Sequence, residues 1–502
     1  MSCLFLGIDI GTYSSKGVLV DPCGFIKKST IVNHSMSIPT PGWAEQDAIN
    51  VWWSDVVKIC HLLIDGNEIK KEDIVSVAFS AIGPTLLPID SAGNPLRPGI
   101  LYGVDTRAGE EINILNNKIG EDDIFSFSKM SLSSQAVGPK ILWLKRHEPY
   151  IWSKLDWITT ASSFIVYKMT GEKVIDRHTA SHYMPLFDIN NFEWNNRFEE
   201  ELIPISKLPQ LAWSNQIAGT ILKAPAEETG LKEGIPVAVG TVDALSEAIS
   251  VGAIYPGDLM IMYGSTTFFI LVLKEPKPDY RFWTTAGAFA GQYNLAAGMA
   301  TSGSITKWFV DQFAKELSNT DAYDYLFSSV DKISIGANGL LVLPYFSGER
   351  TPINDPNARG IIAGLTLSHS REHLFRAILE GVAYGINHNL ETFNNIGAEI
   401  NRIIAVGGGT KNNIWTQIVS NVGNFDQIVP STTIGASYGD AFLAGLASGM
   451  LSLSDLDNWV KSKNIIKPNL EHHRIYKHYY NQYLDLYKNT KDIVYKLNIT
   501  NL

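Results

Sequence analysis

Cysteine is scarce in this 502-residue chain: Cys3, Cys23 and Cys60 all fall near its beginning, and no two form a CxxC pair. They are expected to be reduced thiols of a cytosolic protein. Positive charge is also short. The net charge is −10 and no long basic block interrupts it, so the footprint of a nucleic-acid binder is missing and an anionic membrane is a poor partner. Small anions, which local groups bind, stay open. Long hydrophobic runs are absent too. LFLGIDIG near the start has no basic prefix and is interrupted by Asp9, so it is a poor signal peptide, and LMIMYGSTTFFILVL (259–273) is short and broken by Gly264, Ser265, Thr266 and Thr267. No membrane span is expected. A paired catalytic Cys/His is missing. His178 and His182 stand four apart in RHTASH without the Glu of HExxH, while His369 and His373 belong to a helix start and His472-His473 to a solvated segment. Metal-hydrolase and acyl-transfer chemistry are therefore poorly supported.

What remains is an ordinary globular composition, 45% apolar and 18% charged, long enough for two or three domains. With no low-complexity linker between them, those domains are expected to be in close contact. Strand-like and helix-like segments alternate, which favours an α/β architecture. IVSVAFSAI (74–82) and IPVAVG (235–240) read as buried strands. INVWWSDVVKICHLLI (49–64) and REHLFRAILEGVAYGINHNLETF (371–393) have helical apolar spacing, the latter with Ser370 as N-cap. Tyrosines three or four apart in 476–497 predict a packed amphipathic helix.

One internal echo organises the chain. LFLGIDIGTYSSKGVLV (4–20) reads as strand, a turn of glycine and hydroxyls, strand; DLMIMYGSTTFFILVL (258–273) repeats that design about half a chain later. Two similar halves, each opening with a phosphate-sized hairpin turn, are the expectation. The first turn is not a Walker P-loop, because Lys16 precedes glycine instead of Ser or Thr and the chain continues as a strand. In a tight hairpin, small residues let backbone N–H groups approach phosphate oxygens, and Thr12 and Ser15 can add hydroxyl donors. Asp9, just ahead of the turn, would repel phosphates unless a cation intervened, so it reads as an indirect Mg²⁺ anchor.

Two strand-to-helix junctions follow. In VAVGTVDALSEAISVGA (237–253) the strand ends at Gly240 and Asp243 opens a helix, either as an N-cap or as the active acid that open α/β folds place at such a junction. In RIIAVGGGTKNNIWTQIVSNV (402–422) a glycine run leads into a helix, aiming N–H groups at an anion or polar ring without matching GxGxxG.

With these motifs in order, the chain resembles the FGGY carbohydrate kinase family, and its xylulokinase-like branch most closely. The resemblance rests on GIDIGTYSSKGVLVD (7–21), PGWAEQDAINVWW (41–53), GPKILWLKRHEP (138–149), KMTGE (168–172), VAVGTVDA (237–244), YGSTT (263–267), SGERTPINDPNARG (347–360), RAILEGVAYGI (376–386) and GGGTKNNIWTQIVSNV (407–422). It implies the actin-like, ribonuclease-H-like fold, with a duplicated core, an N-terminal domain over 1–250, a C-terminal domain over 251–502, and nucleotide in the cleft between them. It further implies ATP and Mg²⁺ as cofactors. Asp9 would support the metal, with Gly11, Thr12, Ser15 and Lys16 at the first phosphate turn and Gly264, Ser265, Thr266 and Thr267 at the second. Gly408, Gly409 and Asn412 would lie in the adenosine segment, and Asp243 would be the base that takes a proton from a sugar hydroxyl. A homodimer is what the family suggests.

The sugar loop departs from the family pattern. Xylulokinases carry Gln-Met-His where this chain has Ala81-Ile82-Gly83, and glycerol kinases follow the base with Gln where Ala244 stands here. Substitute polar partners are expected from Asp105 and Arg107, with Trp43 as a wall. The expected substrate is a ketopentose such as xylulose or ribulose, with gluconate, glycerol or another polyol as alternatives. An actin-like assembly or chaperone-type ATPase is the rival from another class.

Overall fold

A computed structural model describes residues 3–66, 69–431 and 434–498. The chain opens with three antiparallel strands, β1 (Leu4–Ile10), β2 (Ser14–Val20) and β3 (Ile26–Asn33), followed by helix α1 (Ser54–Ile64) and then β4 (Ile74–Ala81), which returns parallel to β1. Strands β5 (Ile217–Thr220) and β6 (Pro236–Ala238) extend the sheet beyond β4, and β7 (Thr241–Val242) pairs the end of β4 directly before helix α2 (Asp243–Ser250).

The second sheet repeats the plan. Strands β8 (Asp258–Tyr263) and β9 (Thr267–Leu273) form the second hairpin, and β10 (Trp283–Ala286) and β11 (Tyr293–Met299) continue the antiparallel side beyond it. Helices α3 (Gly303–Phe313) and α4 (Arg371–Asn395) follow. Strand β12 (Arg402–Val406) then joins β8 in parallel, as β4 joins β1. Helix α5 (Asn413–Gly423), strand β13 (Gln427–Pro430), helix α6 (Ala436–Ala447), strand β14 (Ser462–Ile466) and helix α7 (Leu470–Asn498) close the chain. Both expected hairpins form with turns at 11–13 and 264–266, and α4 and α7 match the periodic segments.

Every residue of β1 is buried, as in a strand covered on both faces. On one face, α1 presses Ile59 towards Gly17, where a Cβ would come within 2.2 Å of its side chain. On the other lie α2 and α6, brought close by small residues. A Cβ on Gly7 would stand 2.0 Å from the Ser437 carbonyl oxygen, and one on Gly439 2.0 Å from that of Ser246. Helix α6 comes from the C-terminal half yet packs on β1, β4 and α2. A cut at residue 250 therefore separates this helix from the sheet it covers, because only side-chain-free approaches at Gly7 and Gly439 let the layers meet. Among the described residues no helix is long and apolar enough to cross a membrane.

Candidate active site

The period of two along a hairpin sorts the first site. Asp9 pairs with Lys16 across the hairpin and with Ser80 on β4, so all three share one face. That face lies under α2 and α6. Asp243 is the first residue of α2, with Glu247 one turn later, and Asp440 rises from α6 to accept Ser80 Oγ (2.7 Å) and Ser246 Oγ (2.6 Å). Ser80 Oγ also lies 3.3 Å from Asp9 Oδ1. Four acids thus converge on one lysine.

The electrostatics follow. Burial, then the charge of Asp243, pushes the Asp9 carboxyl well above the usual carboxylate range, and only Lys16 and Ser80 pull it back. Burial pushes Asp243 up to about 7, its bond from Ala244 N–H (2.8 Å) opposing and Glu247 adding to the rise. Glu247 and Asp440 are raised as well, first by burial. A carboxyl near neutrality can exchange a proton at physiological pH, as a general base must. A crowd of acids with one lysine also suits a divalent cation. Among the described residues no three His, Cys, Asp or Glu converge closely enough to chelate an ion by themselves. An ion here would therefore complete its shell with phosphate oxygens and water, and Asp9 fits the indirect anchor.

Both turns direct their carbonyls away from the cleft. In the second, Gly264 O accepts Gly303 N–H (2.9 Å), Ser265 O accepts Ser302 and Ser304 N–H (each 3.0 Å), and Thr266 O accepts Gly264 N–H (3.0 Å). In the first, Ser14 O accepts Gly11 N–H (3.0 Å), Tyr13 O accepts His34 N–H (3.0 Å) and Thr12 O accepts Gln46 Nε2–H (2.9 Å). The amides of Thr12, Tyr13, Ser265 and Thr266 have no partner among the described residues and are free for an anion.

Two hydroxyls expected at these turns are not available. Ser15 pairs across to Ile10, on the face opposite Asp9; it is fully buried and donates to Asp55 Oδ2 (2.8 Å). Thr267 is likewise buried and donates to Ser302 Oγ (2.7 Å). Thr12 does face the cleft, with Oγ1 3.3 Å from the Tyr102 hydroxyl. At the glycine run, Gly407 has φ +93 and would strike the Tyr263 carbonyl with a Cβ (2.6 Å); Gly408 is open on its free side, and Gly409 packs beside Tyr263 and Trp415. Asn412 caps α5 through Oδ1, which accepts Ile414 N–H (2.9 Å).

The expected sugar contacts are corrected more broadly. Ala81 and Ile82 are buried in the core, and Gly83 is pressed on Val242, whose Cγ1 would lie 2.4 Å from a Cβ. Asp105 and Arg107 form a sealed ion pair (2.7 Å), both side chains 0% exposed. Arg107 also meets Glu45 (2.8 Å), and Asp105 accepts Ala44 N–H (2.6 Å). Trp43 stacks on the Arg107 guanidinium (4.1 Å) and meets Trp143 edge-on, so it walls this network instead of a sugar. Buried charges are kept only when paired in this way.

A cavity of about 360 Å³ opens between the halves, lined by Tyr102, Ser133 and Gln135 from one and Trp283, Arg350 and Asn354 from the other. Tyr102 ties it to the acids: burial raises its phenol, the Thr12 bond lowers it, and the charges of Asp243 and Arg350 act on it from opposite signs. Sequence reading missed Tyr102, although it stands three residues before Asp105 in a loop already singled out. Gln135 and Arg350 flank or lie within segments that carried the family resemblance.

Comparison with known proteins identifies the family and the fold. Residues 4–250 match the FGGY family of carbohydrate kinases, N-terminal domain, and residues 259–448 match its C-terminal domain. A xylulose kinase of Bacillus subtilis (strain 168) is 28% identical over 494 residues, covering 97% of each chain. The crystal structure of xylulose kinase from Rhodospirillum rubrum superposes with TM-score 0.91 at 27% identity, covering 98% of this chain and 99% of that one. Gluconate kinase from Lactobacillus acidophilus shares the fold at TM-score 0.90 and 22% identity, covering 98% and 99%. The duplicated sheets are those of the actin-like ATPase fold.

Proposed function

The chain belongs to the FGGY family of carbohydrate kinases, and from that premise we propose that it phosphorylates a ketopentose such as xylulose or ribulose with Asp243 as general base. Its activity as a sugar kinase follows from the family; the substrate and the residue roles are the proposal. The observation that carries it is Asp243, pushed up to about 7 at the head of α2, in electrostatic reach of both Asp9 and Tyr102. Tyr102 borders the cavity between the halves.

In this reading the sugar occupies that cavity, where Gln135, Arg350 and Asn354 supply polar partners that Ala81-Ile82-Gly83 do not. Asp243 accepts the proton of the sugar hydroxyl as its oxygen attacks the terminal phosphorus of ATP, and ADP departs with the electrons of the broken P–O bond. The free amides of Thr12, Tyr13, Ser265 and Thr266 hold the phosphate oxygens from both sides, and Gly408 and Gly409 leave room for the adenosine. Mg²⁺, held through Asp9, would neutralise charge on the phosphates. Closure of the two halves around the cavity would exclude water from the transfer.

One observation favours gluconate as the second reading. Among the described residues Arg350 Nε is buried without a partner, beside the cavity, and a guanidinium there suits a sugar carboxylate. Coupled ADP release over pentuloses, polyols and aldonates decides between them. Asp243→Asn is expected to lower kcat by roughly a hundredfold or more while ATP still binds. Near-normal sugar phosphorylation by that variant removes Asp243 from the base role.

A further inference from the structure

Asp243 hangs from a short piece of chain. Gly240 turns with φ +71, where a Cβ would stand 2.0 Å from the Phe79 carbonyl oxygen. Strand β7 then pairs only Thr241 and Val242 with Ser80 and Ala81 before Asp243 opens α2. So short a ladder leaves the aim of residue 243 to what the two side chains before it touch. Val242 presses on Gly83. Thr241 is fully buried, and its Oγ1–H donates to Asp176 Oδ2 (3.0 Å).

Asp176 is held in turn. It ends the strand Val174–Asp176 and caps the short helix Arg177–Ser181: Oδ2 also accepts Thr179 N–H (3.0 Å), and Oδ1 accepts Thr179 Oγ1–H (2.6 Å). The residue is 1% exposed. The far end of that helix crosses to the second half of the chain. Ser181 Oγ accepts Ala286 N–H (3.0 Å), and His178 Nδ1 lies 2.9 Å from Ala286 O. Ala286 ends β10, the edge strand of the second sheet, whose outward groups have no further strand to pair with. The same strand carries Trp283, which lines the cavity between the halves. One stretch, 176–181, therefore grips both the strand that delivers Asp243 and the strand that walls the cavity.

We propose that Thr241 and Asp176 are positioning residues for the base: the Thr241 hydroxyl, held by Asp176, aims Asp243, and the 176–181 stretch keeps that aim in register with the cavity wall of the second half. A base must stand within hydrogen-bond reach of the hydroxyl it deprotonates, and a sugar lying against both halves requires that the two be fixed to each other. Neither Thr241 nor Asp176 lines the cavity. This rests on the reading of Asp243 as base.

The test is a rapid-quench measurement of the phosphoryl-transfer step in the full-length protein at saturating MgATP. The sugar is whichever of xylulose, ribulose and gluconate the unsubstituted protein phosphorylates fastest. Thr241→Val, which keeps the volume and loses the hydroxyl, is expected to slow that step about tenfold, with KM for sugar and for ATP within twofold. Thr241→Ala should be as slow, while Thr241→Ser, which keeps the donor, should stay within twofold of the unsubstituted protein. Ser181→Ala frees Ala286 at the far end and should slow transfer about threefold or more. Because both ends act through one link, the double variant of Thr241→Val with Ser181→Ala should be within twofold of Thr241→Val alone. Either Thr241→Val or Thr241→Ala transferring within twofold of the unsubstituted protein overturns the proposal. So does Thr241→Ser as slow as Thr241→Val, since volume and not the hydroxyl then matters. Ser181→Ala without effect, or effects that multiply in the double variant, overturn the link to the second half. Near-normal transfer by Asp243→Asn overturns the base reading itself.

Discussion

If Asp243 is held near neutrality by burial, replacing it should make the protein more stable and dead as a catalyst at once. Asp243 moves from its ordinary 3.8 to about 7 on folding. A raised carboxyl means that the folded state binds the proton more tightly than the unfolded chain, so stability falls as pH rises between the two values and stays low above the higher one. A shift of roughly three units at about 1.36 kcal/mol each sets an upper bound of about 4 kcal/mol above pH 8. At pH 5 the folded carboxyl already carries its proton while the unfolded one has mostly lost it, so only about 1.5 to 2 kcal/mol of the cost is present. Asp243→Asn never ionises and escapes the cost. Scanning calorimetry without nucleotide should therefore show a higher Tm for Asp243→Asn at pH 8.5, with the advantage shrinking by more than half at pH 5. A variant no more stable than the parent at pH 8.5, or an advantage independent of pH, would falsify the electrostatic account of the base.

Two further substitutions separate packing from chemistry. Gly7→Ala places a Cβ 2.0 Å from Ser437 O and 2.4 Å from Ala441 N, so α6 must lift from β1; a loss of about 3 kcal/mol, read as a lowered Tm, is expected, together with impaired Mg²⁺-dependent turnover. Arg107→Ala strands Asp105 in the interior and leaves Glu45 to Arg97 alone, and should cost about 3–5 kcal/mol in thermal unfolding while KM for sugar changes less than threefold. A large rise in sugar KM with normal stability would return Arg107 to the sugar site.

How much of this was legible in the sequence depends on the range over which each feature is written. The hairpins were plain, because glycine and hydroxyls interrupt two apolar runs that each bury a strand. Asp243 was legible as a junction residue. Ser15 was misread although its correction was available: if Asp9 and Lys16 share a face across a hairpin, the neighbour of Lys16 points away from it. Thr267 carried no such cue, since its partner Ser302 arrives from another element. Asp105 and Arg107 looked like polar groups awaiting a ligand, and only packing against Trp43, Trp143 and Glu45 shows that they pair with one another. Glu247 and Asp440 went unnoticed because an acid in a helix is unremarkable until the fold buries it.

Asp440 explains why the acids can be kept together at all. Ser80 joins it to the strand face that carries Asp9, and Ser246 joins it to the helix that carries Asp243. Each serine has one proton to give. Ser80 lies between two carboxyls, and Ser246 lies between Asp440 and the Ala436 carbonyl at 2.9 Å. A proton on Asp440 itself, in line with its strongly raised affinity for one, would let one of its oxygens donate to one of the serines and would remove a negative charge from beneath Asp9. With that proton, four repelling acids would become a neutral link and a cluster left for the lysine and a cation. The helix bearing that link belongs by sequence to the second half and by packing to the first. The geometry of Asp9 and Asp243 is therefore set by both ends of the chain, and no isolated N-terminal half can hold it.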